Sequence, residues 1–198
     1  MVELPLRQGA LAHLHLLARA VGDIGEAGIG LGERTPRAQI ALRGDGGDRF
    51  FVDGFAAATG LTLPLATGGV ENALGRRVFW LGPDEWLLTS MEEEADGLLA
   101  SLAETLAGRH HALTDVSESR VVIRIEGPRL GDLMSKATSL DLARLEAGHC
   151  AQSTLARTHM LLHALPEAYE IYVHRSFADY AWRWLEDAAL EYGVAVLR

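Results

Sequence analysis

Apolar and polar residues alternate along this chain in two periods. A period of two predicts strands at "AQIALRGD" (38–45), "RVVIRIEG" (120–127), "CAQSTLAR" (150–157), "HMLLHAL" (159–165) and "YEIYVH" (169–174). "RRVFWLGPDEWLLTS" (76–90) is two apolar runs around Gly82-Pro83-Asp84, which predicts a hairpin. "HHALTDV" (110–116) and the terminal "VAVL" predict closing strands. Helical spacing predicts a helix within 48–60 that stops at Gly60, and another over about 92–107 opened by a Ser90/Glu93 capping box. A helix "RLGDLMSKA" follows Gly127-Pro128, with Pro128 at its first position. The last helix, "FADYAWRWLEDAALEY" (177–192), is preceded by Ser176 and carries Asp179, which repeat the capping pattern. Leucines at 11, 14, 16 and 17 predict a short amphipathic helix within 6–20. "GDIGEAGIGLGERTP" (22–36) reads as a flexible loop, and its glycines do not form G-x-G-x-x-G.

The order of elements repeats. Residues 36–116 and 117–198 each read β-α-β-β-α-β, after an N-terminal helix and glycine-rich loop over 1–35. Two such halves, as one compact unit, predict an α+β fold: tandem ferredoxin-like (split βαβ) halves with antiparallel sheets and helices packed on one face. Ile40, Leu42, Val78, Trp80, Leu87, Val122, Ile123, Ile125, Leu155, Leu161, Ile171 and Val173 are the expected interior.

Composition narrows the function. With 198 residues and 48% hydrophobic content, the chain is long enough for a sizeable core. A net charge of −9 argues against nucleic acid and anionic membranes as partners. The apolar N-terminal run is broken by His13, His15 and Arg19, which argues against a signal peptide, and no run is long enough for a membrane helix. The single cysteine, Cys150, allows no disulfide within the chain and suits a cytoplasmic location.

Reactive side chains have plain structural explanations. His159 and His163 are four apart, but in a strand that separation is about 13 Å, too far for one metal ion. Cys150 opens an apolar run and reads as a buried structural thiol. Asp115 and Ser117 read as turn formers, and no G-x-S-x-G is present. Glu92, Glu93 and Glu94 favour a helix N-terminus over a metal. No residue is therefore assigned a catalytic, cofactor-binding or metal-binding role. Tyr180, Trp184, Ala188 and Tyr192 follow a helical stripe from which Trp182 and Arg183 depart. Trp86, Tyr180, Trp182 and Arg183 are the expected partner-contact residues, because tryptophan and arginine are favoured interface anchors.

"TDVSESRVVIRIEGPRLGDLMSKATSLDLARLEAGHCAQSTLAR", "YEIYVHRSFADYAWRWLEDAALEYG" and the hairpin "GPDEWLL" together resemble the gamma subunits of heterotetrameric sarcosine oxidase. The resemblance covers roughly 35–193. That family is similar in turn to the glycine-cleavage aminomethyltransferase and its folate-binding relatives. Asp115-Val116-Ser117, Gly127-Pro128 and Leu140-Asp141-Leu142 correspond to their D-x-S turn, Gly-Pro strand end and N-D-V stretch. Where the catalytic relatives carry a glycine turn and paired aspartates, this chain has "LARTHMLLHAL". The resemblance implies a non-catalytic structural subunit of an oxidoreductase complex of sarcosine catabolism and one-carbon metabolism. The complex demethylates sarcosine oxidatively to glycine, with hydrogen peroxide and 5,10-methylenetetrahydrofolate as further products. FAD, FMN, NAD, tetrahydrofolate and zinc are then expected in the alpha, beta and delta partner subunits, and none in this chain. The alternative is a free-standing folate-binding or aminomethyltransferase-like enzyme, with Asp115, Asp141 or Glu170 supplying a carboxylate. A third reading is a homodimeric scaffold joined by sheet edges.

Overall fold

The computed structural model describes residues 8–34 and 38–198. Near the N-terminus, a 3₁₀ turn (Ala12–Leu14) and a single helical turn, α1 (Leu16–Arg19), stand in the region expected as one helix over 6–20. Residues 6 and 7 of that expectation lie outside the described residues. His15, in the left-handed region at φ 49°, separates the two turns.

The expected loop over 22–36 contains a strand instead, β1 (Ile29–Glu33). Its glycines are there for packing and not for flexibility. A Cβ on Gly30 would lie 2.5 Å from Leu197 Cδ1, and one on Gly28 would lie 2.5 Å from the Tyr192 carbonyl oxygen. Between the glycines, Ile29 and Leu31 are fully buried.

A first group of elements follows: β2 (Ala38–Arg43), α2 (Arg49–Thr59), β3 (Val70–Ala73), β4 (Arg76–Gly82), β5 (Glu85–Ser90), α3 (Ala95–Thr105) and β6 (Ala112–Asp115). Asp48 caps α2 by accepting from the Phe50 amide, and Gly60 ends it in the left-handed region with its amide donating to the Ala56 carbonyl. The Ser90/Glu93 capping box does not form. A 3₁₀ turn over Glu92–Glu94 separates Ser90 from α3, and the Ser90 hydroxyl donates to the Met91 carbonyl. The second group is β7 (Arg120–Glu126), α4 (Leu130–Ala137), β8 (Cys150–Leu155), β9 (Thr158–Leu165), β10 (Ala168–His174), α5 (Ala178–Ala189) and β11 (Val194–Val196). Ser176 lies inside a 3₁₀ turn, Arg175–Phe177, that leads into α5, so the second capping pattern is also unused.

The strands form two sheets. One has the order β3-β4-β5-β2-β6 and the other β11-β1-β7-β10-β9-β8. The first is antiparallel throughout. The second departs from the expected antiparallel pattern, because β1 enters between β11 and β7 and runs parallel to β11.

Alternation along each strand divides the apolar residues into three clusters. Val78, Trp86 and Leu88 pack with Phe51 and Phe55 of α2 and Leu98 and Leu102 of α3. Ile123, Leu162, Ile171 and Val173 pack with Leu133 of α4 and Trp182 and Leu185 of α5. Phe79, Leu87, Val122, Cys150, Leu161 and Tyr172 form a third cluster from both sheets. The sheets therefore face each other, and each carries its helices on its outer side. The expected interior is buried except for Trp80, which is partly exposed.

Candidate functional site

The space between the sheets also receives charged side chains. Arg77 lies two residues before Phe79 on β4 and shares its face, towards the second sheet. From the other side, Glu170 and Tyr172 alternate with Ile171 on β10, and His163 on β9 stands opposite Glu170. Arg77 Nη1 donates to Glu170 Oε2 at 2.6 Å and lies 3.5 Å from the Tyr172 hydroxyl. His163 Nδ1 is 3.7 Å from the same carboxylate oxygen, and Arg34 Nε is 3.9 Å from the other. The Phe79 ring meets His163 and Tyr172 edge-on, at centroid separations of 5.3 and 5.2 Å.

This arrangement fixes the charge on Glu170. Burial alone would raise its carboxyl pKa, but the His163 imidazole and the Arg77 guanidinium outweigh burial and hold it at about 2. Burial works against the Arg77 cation too, and Tyr172 and Glu170 outweigh it, so its pKa is raised. A carboxylate this acidic is a weak base, whereas general-base catalysis is served by a pKa near the working pH. Glu170 is a counterion that ties the two sheets together.

The other proposed carboxylates are placed differently. Asp115 accepts from the amide and hydroxyl of Ser117, as expected of a turn former. Asp141 is exposed before a 3₁₀ turn at Leu142–Arg144. The structure does not bring Asp115, Asp141 and Glu170 into one group bonded together. Cys150 is buried in the inter-sheet cluster, with Sγ 3.6 Å from the Trp80 carbonyl oxygen. Burial raises its thiol to about 11 despite that hydrogen bond. In the native chain, Cys150 is expected to react with an aromatic disulfide reagent at pH 8 far more slowly than in urea, as followed by absorbance. His159 and His163 lie on one strand, as expected, with His159 exposed and His163 buried.

Two of the four expected contact residues need correction. Trp86 and Trp182 are both fully buried. Trp86 packs 5.8 Å from the Phe51 ring, and its indole N–H donates to the Pro64 carbonyl at 2.7 Å. Trp182 belongs to the inner face of α5 with Ala178, Ala181, Leu185 and Ala189, the true helical stripe. Neither tryptophan reaches a surface where a partner could touch it. Tyr180 and Arg183 do face outwards. Arg183 Nε donates to both Asp179 oxygens, at 3.0 and 2.9 Å, and Asp179 Oδ1 lies 2.6 Å from His13 Nε2. His13 first, and Arg183 after it, lower the Asp179 pKa.

Sequence reasoning missed the Arg77–His163–Glu170 cluster as a unit. Its signal was present: Arg77 has the parity of Phe79, and Glu170 has the parity of Tyr172.

The model of the sarcosine oxidase gamma subunit family matches residues 43–191. The chain belongs to this family. The gamma subunit of sarcosine oxidase from Corynebacterium sp. (strain U-96) is 34% identical over 194 residues, covering 96% of this chain and 93% of that protein. The gamma subunit from Arthrobacter sp. is 33% identical over 141 residues, covering 69% of this chain and 68% of that protein. Among solved structures, a chain of heterotetrameric sarcosine oxidase from Corynebacterium sp. U-96 superposes with a TM-score of 0.85 and 32% identity, covering 98% of this chain and 100% of that one. The glycine-cleavage aminomethyltransferase of Bartonella henselae shares the fold, with a TM-score of 0.71 and 16% identity over 98% of this chain and 60% of that one. The sarcosine oxidase gamma subunits, matched along almost the whole chain, are favoured over the free-standing transferase reading.

Proposed function

We propose that this chain is the gamma subunit of a heterotetrameric sarcosine oxidase and serves the complex as a structural part. The carrying observation is the end-to-end match to a chain of such an enzyme, at a TM-score of 0.85. The charge state of Glu170 supports the structural role, because this carboxylate between the sheets is held by Arg77. Oxidative demethylation of sarcosine, peroxide release and transfer of the one-carbon unit to tetrahydrofolate belong to the alpha, beta and delta subunits. These carry FAD, FMN, NAD and zinc, and the complex works in the cytoplasm. Among the described residues, no helix is long and apolar enough to cross a membrane.

The finer fold reading is a pair of split βαβ halves. In the first sheet, β2, β4, β5 and β6 stand in the order β4-β5-β2-β6, with β3 added outside β4. In the second, β7, β9, β10 and β11 repeat that order, except that β1 is inserted beside β7 and β8 is added outside β9. This supports one ancestral half used twice and one compact unit. For docking, Tyr180 and Arg183, joined by exposed Phe177, offer an aromatic and charged patch along the start of α5.

The test uses the isolated chain and the co-expressed complex. The chain alone is expected to be colourless, to leave sarcosine unoxidised and to give no heat with tetrahydrofolate. With its companion subunits it is expected to co-purify as a yellow, active complex. Micromolar tetrahydrofolate binding by the isolated chain would instead establish the transferase reading.

A further inference from the structure

A row of side chains crosses the second sheet on the face turned towards the first sheet. Arg120 on β7 stands opposite His174 on β10, and Thr154 on β8 stands opposite His159 on β9. Met160 faces Val173, so one step outward along the two strands His159 faces His174. Arg120, His174, His159 and Thr154 thus lie in line on four neighbouring strands about 4.8 Å apart. They have the parity of Val122, Tyr172, Leu161 and Cys150, the inter-sheet residues of the same strands.

The row borders a cleft of about 540 Å³. Leu81 from the first sheet closes one side, where its carbonyl accepts from Gln152 Nε2 at 2.6 Å. Ser139 and the Tyr172 ring also line the space, and among the described residues no aspartate or glutamate does. This composition departs from a chain with 27 acidic and 18 basic residues. Arg120 donates to the neighbouring Ser119 hydroxyl at 3.3 Å, and among the described residues no carboxylate lies in ion-pair contact with it. Burial pulls its pKa down, and Glu85 opposes this only through its charge, while itself paired with Arg43 at 3.2 Å. Arg120 thus brings a cation to one end of the row, and the His174 and His159 rings and the Thr154 hydroxyl stand in line beside it as hydrogen-bonding groups.

We propose that this cleft is a binding site for a small oxyanion, the carboxylate or phosphate group of a metabolite. Arg120 supplies the forked charge-assisted donors, and His159, His174 and Thr154 supply further donors along the row. The site rests on this chain's own residues and stands whether or not the chain is a subunit of an oxidase.

The test is a titration of the ¹⁵N-labelled full chain with sodium phosphate and, separately, sodium acetate, at constant ionic strength set with chloride. Saturable shifts are expected at the backbone amides of Arg120, His159 and His174, with millimolar affinity. Arg120→Gln is expected to weaken binding about tenfold, the loss of one charge-assisted contact. The double variant H159Q/H174Q changes only exposed side chains, so it keeps the fold, and it is expected to weaken binding several-fold. Saturation by phosphate first assigns phosphate esters, and saturation by acetate first assigns carboxylates. The site is overturned if neither probe saturates, or if binding persists unchanged in H159Q/H174Q and in any Arg120→Gln protein that folds. A partner's acidic side chain would then be left as the anion's source.

Discussion

Replacing Glu170 with alanine is expected to lower the unfolding free energy of the isolated chain by about 3 kcal/mol, measured by urea denaturation. Only 16% of the Arg77 side chain and 13% of the Glu170 side chain are exposed, so the variant leaves a guanidinium between the sheets without its counterion. The loss is greater than the net value of the pair, because the stranded cation keeps its desolvation cost. Adding Arg77→Met is expected to restore most of the stability, since an apolar side chain suits the space beside Phe79 and Tyr172. Acid unfolding gives an independent reading. The folded-state pKa of Glu170 is lowered from 4.5 to about 2, so its contribution is fully present above the ordinary value. It is lost as the pH falls from 4.5 towards about 2, and the alanine variant should lack this part of the acid dependence.

Trp86→Ala is expected to cost the isolated chain about 4 kcal/mol in the same assay. The side chain is fully buried, stacks at a tilt on Phe51 and satisfies the Pro64 carbonyl. Truncation removes a large apolar surface and leaves both a void and an unpaired acceptor. An interface tryptophan would behave otherwise: its loss would spare the monomer and weaken assembly.

Strand alternation was legible in the amino-acid order because each sheet has two unlike apolar faces. Val78 and Phe79, adjacent in sequence, go to different clusters, and so do Val122 and Ile123. The insertion of β1 was not legible. Three glycines in "GIGLG" weaken strand propensity, and only the distant Tyr192 and Leu197 show why side chains are excluded there. Local signals also misled at the serine caps, because a 3₁₀ turn costs a capping box its geometry without changing the residues. Trp182 was misplaced through one choice of stripe. Starting the helical face at Tyr180 puts Trp182 outside, whereas starting it at Ala178 puts Trp182 inside. The polar inter-sheet cluster required the pairing of sheets, a long-range fact that no local window contains.

The position of β1 bears on how the protein is made. β11 joins its sheet only through β1, which lies far earlier in the chain. While the polypeptide is still emerging from the ribosome, β1 can hold β7 but offers an open seam where β11 belongs. Until β11 docks, the free edge of β1 stays open to a stray strand, so loss of β11 would show as a defect in the sheet itself.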